Sequence, residues 1–393
     1  MKLSQRILSL QPSATMAINA KAQEMRAQGR KVISLAVGEP DFVTPDHIIE
    51  AAKQALDEGF VKYTPVPGIP ELRDAVAGYF NRFYQVKPER EEVMVSNGGK
   101  HCLYNLFQCL LDPGDEVLIL APYWVSYPAM VQLAQGMPVF VPAAAEDNFL
   151  VSVDKLDRAV TDRTRAIIIN TPSNPTGCHY TQEQLNELAD WARSKDIFII
   201  SDEIYDQLVY EPAKPASLAG FWAENKDRAA IVNGLSKSMA MTGWRVGFCL
   251  AHRDLIKAMI KFQGQSTSNI CSIAQKGAVA ALTGSFEPVE VMKQSFVKRR
   301  DLALEIVRSW PGVVCPKPDG AFYIFPDVSA IYNDEVKNSV ELCQKILEEV
   351  EVALVPGAAF GDDRCIRISY ALDEETLTDA LNRVGEVIKS LRS

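Results

Sequence analysis

The segment IFIISDEIYD, residues 197–206, begins with four apolar residues and then becomes polar. Two similar segments are RAIIINTPSNPTG, residues 165–177, and AAIVNGLSKS, residues 229–238. Continuous apolar runs of this length are typical of strands that are buried on both faces of a parallel sheet. Ligands of such sheets lie outside the carboxyl ends of the strands, which is where the polar residues follow here. The three segments therefore predict an α/β sheet with a binding site along one edge.

The same pattern extends from about residue 90 to residue 250. Helix-length amphipathic segments alternate with further strand-like runs: EEVMVS (91–96), EVLIL (116–120), MPVFVP (137–142) and VGFCLA (246–251). In one of the helical segments, residues 181–195, Thr181 and Gln184 have the spacing of a capping box. This alternation predicts an open sheet covered by helices.

A second pattern begins at about residue 288, where a long helical segment precedes short strands and a final helix from Asp373. We expect three parts: an N-terminal segment (1–45) that packs with the small domain, a large cofactor-binding α/β domain (46–287) and a small α+β domain (288–393). Arg364 and Arg367 are three residues apart in RCIRISY, so on a strand they would point to opposite faces.

The overall composition argues against several classes of protein. A net charge of −9 over 393 residues lacks the basic surface that nucleic acids or anionic membranes require. No apolar run approaches the roughly 20 residues of a membrane span, and the N-terminal segment has no secretory apolar region. The eight cysteines lack C-x-x-C spacing and the four histidines lack ligand spacing, so we expect reduced thiols and no metal site. These features favour a cytoplasmic protein.

Several polar residues near the predicted strand ends are candidates for chemistry. Lys237 and Arg245 have mostly small or apolar neighbours, and a buried cation costs several kcal/mol unless an anion pairs with it or its charge is consumed. Asp202 closely follows an apolar run, so its carboxylate would need a cationic partner to stay ionised, and Tyr205 lies three residues further on. The alternative for Asp202 is a helix N-cap.

Four further features each allow two interpretations. Asn174 in SNPTG is either a positioned polar contact or part of a tight turn. Gly98 and Gly99 open a predicted helix and allow an anion to approach its N-terminus, although such a turn is common. Trp124 is either a stacking surface or part of the core. Arg367 lies between two isoleucines, where it would bind a planar anion or form a surface ion pair.

Taken together, these residue types indicate pyridoxal 5′-phosphate. A lysine can form an imine with its aldehyde, a carboxylate can pair with the pyridinium nitrogen, and a phenol and an amide can contact the ring hydroxyl. A tryptophan can stack on the ring, while two glycines and an arginine can hold the phosphate. The chain contains neither a Walker loop nor the glycine fingerprint of a nicotinamide dehydrogenase.

Ordered motifs along the whole chain carry a resemblance to a known family. They are PSAT (12–15), VGEPDF (37–42), KYTPVPGIPELRDA (62–75), SNGGK (96–100), PYWVSYP (122–128), NTPSNPTG (170–177), SDEIY (201–205), NGLSKSMAMTGWRVG (233–247), GAFY (320–323), VPGAAFG (355–361) and RISYA (367–371). The chain resembles the class I, fold-type I, PLP-dependent aminotransferases, and is similar to bacterial aspartate aminotransferases of the gamma subgroup. This implies a large domain with a mostly parallel seven-stranded sheet covered by helices, a smaller α+β domain and a homodimer with shared active sites.

The resemblance also implies a role for each matching residue. Lys237 would hold the PLP aldehyde and move the substrate Cα proton, Asp202 would keep the pyridine nitrogen protonated, and Tyr205 would contact the ring oxygen. The implied cofactor contacts are Gly98, Gly99, Lys100, Trp124, Asn174, Asp202, Tyr205, Ser236, Lys237, Arg245 and, from the neighbouring subunit, Tyr63. The implied substrate contacts are Gly38, Lys100, Trp124, Asn174 and Arg367.

The implied reaction is ping-pong transfer of the amino group of L-aspartate to 2-oxoglutarate. Lys100 would bind the distal carboxylate, or would act as a phosphate contact or a solvated cation. Alternatives are an aminotransferase for aromatic amino acids or prephenate and a non-catalytic PLP-binding regulator. Two positions depart from the pattern: Gly234 replaces a common hydroxyl residue, so that Ser236 or a main-chain amide would supply that phosphate contact, and Gln11 replaces a common lysine.

Overall fold

The computed structural model of the chain describes residues 1–8, 10 and 14–392. Within them the strands are β1 (Ile33–Ser34), β2 (Val93–Asn97), β3 (Glu116–Ala121), β4 (Met137–Pro142), β5 (Thr164–Asn170), β6 (Phe198–Asp202), β7 (Ala229–Gly234), β8 (Val246–Leu250), β9 (Tyr323–Ile324), β10 (Val352–Ala353), β11 (Val355–Pro356) and β12 (Ile366–Ser369). Gln11 and the first two residues of PSAT, Pro12 and Ser13, lie outside the described residues.

The helices account for most of the remaining regular structure. They are α1 (Gln5–Leu8), α2 (Ala14–Ala27), α3 (Asp46–Asp57), α4 (Pro70–Tyr84), α5 (Gly99–Leu110), α6 (Tyr127–Leu133), α7 (Val153–Ala159), α8 (Gln182–Ser194), α9 (Ala219–Glu224), α10 (Arg253–Ser266), α11 (Ser272–Thr283), α12 (Glu287–Arg308), α13 (Ser339–Val350) and α14 (Glu374–Arg392). Short 3-10 turns occupy Arg90–Glu92, Ala145–Asp147, Ser329–Ile331 and Gly357–Phe360.

Seven strands form the central sheet, in the order β2-β8-β7-β6-β5-β3-β4. β8 is antiparallel to both of its neighbours, and the remaining pairs are parallel. Every residue of β7 and β8 is buried, because helices cover both faces of the sheet and the continuous apolar runs leave no solvent-facing side. The predicted α/β fold with a mostly parallel seven-stranded sheet is confirmed.

A second group of elements lies after residue 287. α12 packs against α14, and β9, β12 and β11 form a small antiparallel sheet. β1, near the N-terminus, pairs in parallel with β10, so that Ile33 is opposite Val352. The chain thus returns to its N-terminal segment after building the central sheet.

Local signals were accurate for helix ends and less so for the short strands. The capping box is present: the Thr181 hydroxyl accepts from the amide of Gln184, and the Gln184 side chain accepts from the amide of Thr181. The placement of Arg364 on a strand with Arg367 is wrong, because β12 begins at Ile366. Asp362 holds the Arg364 guanidinium at 2.8 Å before the strand starts.

The described residues also bear on the excluded classes. None of the helices they form combines the length and apolar character that crossing a bilayer requires. In the same part of the chain, no three His, Cys, Asp or Glu side chains are grouped as metal ligands. All eight cysteines are free thiols.

Candidate active site

The carboxyl ends of neighbouring strands bring the candidate residues to one edge of the central sheet. Asn170, the last residue of β5, is in register with Asp202, the last residue of β6. Lys237 follows the end of β7 by three residues, and Arg245 immediately precedes β8. Because β8 runs antiparallel to β7, its beginning lies at the same edge as the end of β7. The strand order therefore explains why residues distant in sequence meet here.

Asp202 is a buried carboxylate at the floor of this edge. Tyr127 donates its hydroxyl proton to Asp202 Oδ2 at 2.6 Å, and the amide of Ile204 donates to Oδ1 at 3.3 Å. Burial raises the pKa of Asp202 to about 6, although the two hydrogen bonds and the charge of Lys237 oppose this shift. No helix starts at Asp202, because the residues that follow form a turn at 204–207, so the N-cap interpretation is wrong. The carboxyl group is available to a cationic partner.

Lys237 has an amine that is readily made neutral. Its Nζ donates to the carbonyl oxygen of Gly38 at 2.5 Å and lies 5.9 Å from the ring centre of Tyr205. Burial lowers the pKa of Lys237 to about 8; the charges of Arg367 and Arg245 also lower it, whereas Glu39 and Asp202 raise it. Near neutral pH a useful fraction of this amine is unprotonated, which both a nucleophile and a general base need.

Arg367 is almost completely buried on β12. Its Nη1 donates to Asn174 Oδ1 at 3.0 Å and its Nη2 donates to the carbonyl oxygen of Ala36 at 2.6 Å. Its Nε has no hydrogen-bond partner among the described residues. The guanidinium also lies 4.7 Å from the ring centre of Tyr323, and burial lowers its pKa. A buried guanidinium with neutral acceptors and an unused donor is suited to binding a carboxylate.

An anion cradle lies at the N-terminus of α5. Gly98 caps the helix with a φ of 86°, and a Cβ at this position would lie 2.5 Å from Arg245 Nη2. A Cβ at Gly247 would lie only 2.2 Å from the amide nitrogen of Gly99. Arg245 is exposed and donates to the carbonyl oxygens of Thr242 and Asn97, at 3.0 and 3.1 Å. A free helix N-terminus beside an exposed guanidinium is an arrangement that binds phosphate.

A chain of contacts links Lys100 through Trp124 and Tyr127 to Asp202. The indole of Trp124 meets the ring of Tyr127 edge to face, with centres 5.4 Å apart. Lys100 Nζ lies 4.9 Å from the indole centre. Burial and the charge of Arg245 lower the pKa of Lys100. Lys100 is thus a partly desolvated cation beside an aromatic surface.

Of the other predicted residues, Tyr205, Gly38 and Ser236 lie at the site, whereas Tyr63 does not. The hydroxyl of Tyr205 lies 2.9 Å from that of Tyr323, and a Cβ at Gly38 would approach the Tyr323 hydroxyl to 2.8 Å. Ser236 is buried next to Lys237. Tyr63 is 92% exposed, and the single chain does not bring it to the site. The remaining candidates form one connected cluster around Lys237.

Sequence reasoning assigned no role to three side chains of this cluster. Tyr127 holds Asp202, and Tyr323 contacts both Tyr205 and Arg367. Asn170 accepts from the amide of Asn174 at 2.9 Å, so it fixes the turn that carries Asn174. The position of Asn170 at the end of an apolar run was a usable signal. No local pattern distinguished the two tyrosines from core aromatics.

Gly234, where a hydroxyl side chain is common, has little room for any side chain. A Cβ there would lie 2.9 Å from the carbonyl oxygen of Val246, 3.0 Å from Ile204 Cδ1 and 3.1 Å from the Cα of Gly247. These contacts are tighter than real Cβ atoms normally make, and two of them involve backbone. The surrounding backbone is therefore built for glycine at this position.

Known proteins are similar to this chain in both sequence and fold. The profile of the family described as aminotransferase class I and II matches residues 30–384. The aspartate aminotransferase of Bacillus subtilis is 45% identical over 390 residues, covering 99% of each chain. A probable aspartate/prephenate aminotransferase of Aquifex aeolicus is 44% identical over 391 residues, again covering 99% of each.

A solved structure agrees with these relatives. The aspartate aminotransferase of Thermus thermophilus with maleate superposes with a TM-score of 0.93 at 44% identity, covering 98% of this chain and 100% of that one. The family match spans well over half of the chain, and the lysine, carboxylate and anion cradle described above suit the family's cofactor. The chain belongs to the class I and II aminotransferases, enzymes that depend on pyridoxal 5′-phosphate.

Proposed function

We propose that this protein is an aspartate aminotransferase. It transfers the amino group of L-aspartate to 2-oxoglutarate in a ping-pong cycle, which yields oxaloacetate and L-glutamate. The observation that carries the proposal is the buried guanidinium of Arg367, which pairs with no acidic side chain among the described residues and lies in the same cluster as the amine of Lys237. The chain's full-length relatives include enzymes named aspartate aminotransferase.

The residues at the edge of the sheet fit the cofactor. Lys237 offers an amine, Asp202 a buried carboxylate, and Gly98 and Gly99 open a helix whose N-terminus faces Arg245. When bound, pyridoxal 5′-phosphate supplies an aldehyde that amines attack and a pyridine ring that accepts electrons. Asp202 would pair with the ring nitrogen, Tyr205 and Asn174 would contact the ring oxygen, and Trp124 would stack on the ring. Ser236, Arg245, Gly98 and Gly99 would hold the phosphate.

Arg367 binds the α-carboxylate of the amino acid. Two of its nitrogens are already oriented by Asn174 and Ala36, so little side-chain freedom is lost when the carboxylate arrives. The carboxylate then forms a charge-assisted pair with this buried guanidinium, whose Nε has no other hydrogen-bond partner among the described residues. Gly38 lines the same space through its backbone. These contacts are made to every amino acid and therefore do not select aspartate.

Lys237 moves the proton at the substrate Cα. Its pKa of about 8 leaves the amine partly neutral at neutral pH, so it can accept a proton and return it. The hydrogen bond to the Gly38 carbonyl oxygen holds Nζ beside the ring of Tyr205. With a pKa of about 6, Asp202 is mostly ionised at neutral pH, because hydrogen bonds from Tyr127 and the amide of Ile204 and the charge of Lys237 limit the rise that burial causes. Arg367 binds the α-carboxylate of the amino acid that gives the amino group and then that of the 2-oxo acid that receives it.

Selection of a dicarboxylate falls to Lys100. Its ammonium group is partly desolvated beside Trp124, so its electrostatic attraction for a carboxylate is stronger there than in open solvent. The second candidate function is transfer with aromatic amino acids or prephenate, which the relative from Aquifex aeolicus favours by its name. The charge of Arg245 lowers the pKa of Lys100, so Lys100 lies near the proposed phosphate site. The experiment below therefore also tests the alternative role of Lys100 as a phosphate contact.

The wider organisation is also proposed. The protein is a cytoplasmic homodimer in which Tyr63 of each subunit completes the phosphate site of the other; the 92% exposure of this tyrosine in one chain supports the idea. The domains are residues 46–287 and 288–393, with residues 1–45 belonging to the smaller one. The pairing of β1 with β10 supports this division.

Absorbance between 300 and 500 nm tests the proposal. The purified protein with PLP should show a band that L-aspartate shifts to shorter wavelength and 2-oxoglutarate restores. Lys237→Ala should lack the band, whereas Lys53→Ala, which alters an exposed lysine, should keep it. A band that L-aspartate leaves unchanged but phenylalanine converts would reject aspartate as substrate, and restoration of the band by prephenate but not by 2-oxoglutarate would make prephenate the amino acceptor. Lys100→Ala should raise the KM for L-aspartate and leave that for phenylalanine almost unchanged; a weaker affinity for PLP instead would make Lys100 a phosphate contact.

A further inference from the structure

Tyr323 lies where three parts of the chain meet. It is completely buried on β9, opposite Ser369 of β12. Its hydroxyl is 2.9 Å from that of Tyr205, which comes from the turn after β6. Its ring faces Arg367, with the guanidinium carbon 4.7 Å from the ring centre. The cofactor-side phenol and the carboxylate-binding guanidinium therefore touch the same side chain.

We propose that Tyr323 is a positioning residue that acts on the cofactor through Tyr205: its hydroxyl donates to the Tyr205 oxygen and so directs the Tyr205 proton to the ring oxygen of the cofactor. The proposal rests on the proposed function, in which Tyr205 contacts that ring oxygen. It concerns the donor and acceptor roles of two hydroxyl groups.

The direction of donation follows from the number of protons. A phenol has one proton to donate. Once Tyr205 donates to the ring oxygen, the 2.9 Å bond between the phenols can persist only if Tyr323 is the donor. Burial raises the pKa of both tyrosines, so both protons are present at neutral pH. Chained hydrogen bonds strengthen one another, so donation by Tyr323 makes Tyr205 a better donor.

The ring and the hydroxyl of Tyr323 have separable functions. The ring supports Arg367 by a cation–π contact, which phenylalanine retains. The hydroxyl reaches Tyr205 and is lost in Tyr323→Phe. This variant therefore leaves carboxylate binding almost intact and weakens only the donation to the ring oxygen.

The expected effect is a shift in a spectroscopic pH titration. A hydrogen bond donated to the ring oxygen lowers the proton affinity of the nitrogen that joins Lys237 to the cofactor. Tyr205→Phe, which loses the whole bond, should raise the pH midpoint of the absorbance change by roughly 0.5 to 1 pH unit, the size of one hydrogen bond. Tyr323→Phe, which loses only the cooperative part of it, should raise the midpoint by roughly 0.1 to 0.3 pH unit. The charged groups that face Lys237 are Glu39, Asp202, Arg245 and Arg367, and the substitution changes none of them.

The experiment is a double-mutant cycle on the protein with bound PLP. Tyr323→Phe, Tyr205→Phe and the double variant are titrated, together with Tyr370→Phe as a matched control. Tyr370 is a buried tyrosine whose hydroxyl contacts the carbonyl oxygen of Ala321 at 3.3 Å. We expect upward shifts for both single variants, no further shift when Tyr323→Phe is added to Tyr205→Phe, and none for the control. The affinity for maleate, an unreactive dicarboxylate, should change less than threefold in Tyr323→Phe.

The other outcomes overturn the proposal. Additive shifts in the double variant would mean that Tyr323 acts independently of Tyr205. An unchanged midpoint, or a Tyr323→Phe protein that fails to fold, would mean that the hydroxyl serves packing alone. If the wild type binds no PLP, the proposed function itself fails, and this is distinguished because the wild-type titration is recorded first.

Discussion

The amine of Lys237 should titrate near pH 8 in the cofactor-free protein. Burial is the main cause, and the charges of Arg367 and Arg245 act in the same direction. With a pKa of about 8 instead of the ordinary 10.5, roughly one amine in ten is neutral at pH 7, against about three in ten thousand for an ordinary lysine. The structure therefore gives Lys237 about a 300-fold larger neutral fraction at pH 7.

Competitive labelling measures this pKa directly. Cofactor-free protein is treated with a trace of isotopically labelled acetic anhydride between pH 6 and 11, and labelled peptides are quantified by mass spectrometry. Lys53 serves as the internal reference, because it is exposed and its hydrogen bond to Glu50 raises its pKa above the ordinary value. Labelling of Lys237 should reach half of its maximum near pH 8, well before that of Lys53.

A second substitution checks the assigned causes. Glu39 is the group that most raises the pKa of Lys237, so Glu39→Gln should move the midpoint below that of the wild type. A wild-type midpoint above pH 10, or an upward movement in Glu39→Gln, would show that burial and charge do not set the reactivity of Lys237 as argued.

Three further predictions concern other parts of the site. Between pH 4 and 6 the folded protein keeps a proton on Asp202 that the unfolded chain has lost, so the contribution of Asp202 to stability falls as the pH rises. Asp202→Asn removes this loss. Relative to the wild type, the cofactor-free variant should therefore gain up to about 3 kcal/mol of unfolding free energy between pH 4 and 6, measured by urea titration. Arg367→Leu should lower kcat/KM for L-aspartate by roughly 30- to 1,000-fold in steady-state assays, since a buried carboxylate loses its charged partner; a change below threefold would remove Arg367 from the substrate site. Gly247→Ala should cost about 1 to 3 kcal/mol and weaken PLP binding in equilibrium dialysis, because its Cβ would meet the amide of Gly99 at 2.2 Å. The matched control is Gly78→Ala, inside α4, where a Cβ meets nothing within 4 Å and alanine should stabilise the helix; equal losses in both would refute the steric argument.

Most of the fold was predictable because the central strands are unusually uniform. β5, β6 and β7 are continuous apolar runs that end in polar residues, and this combination identifies both buried strands and their carboxyl ends. The small strands after residue 320 were harder, because two-residue pairings such as β9 depend on partners far along the chain. Arg364 illustrates the limit: two nearby carboxylates, Asp362 and Asp327, decide its position, and neither is part of a periodic pattern.

The candidate site was predictable where chemistry is unusual for its surroundings. A lysine among small residues and an arginine between isoleucines are conspicuous, and Lys237 and Arg367 both lie in the central cluster. Tyr127 and Tyr323 were not identified, because a buried tyrosine beside other aromatics is ordinary, and its importance depends on which hydroxyl or carboxylate it reaches. Such contacts are set by the packing of distant elements and leave no local signature.

The strand order also has a consequence for how the protein is made. β2 ends at residue 97, but the strand beside it in the sheet, β8, begins at residue 246. A growing chain emerges N-terminus first, and pairings between distant segments are slow to form. The close contact of Gly98 and Gly99 with Gly247 therefore cannot form until the intervening strands have been synthesised. In the proposed site, the phosphate contacts of Gly98 and Gly99 are therefore completed only by Arg245 and β8, which are the last parts of the sheet region to be synthesised.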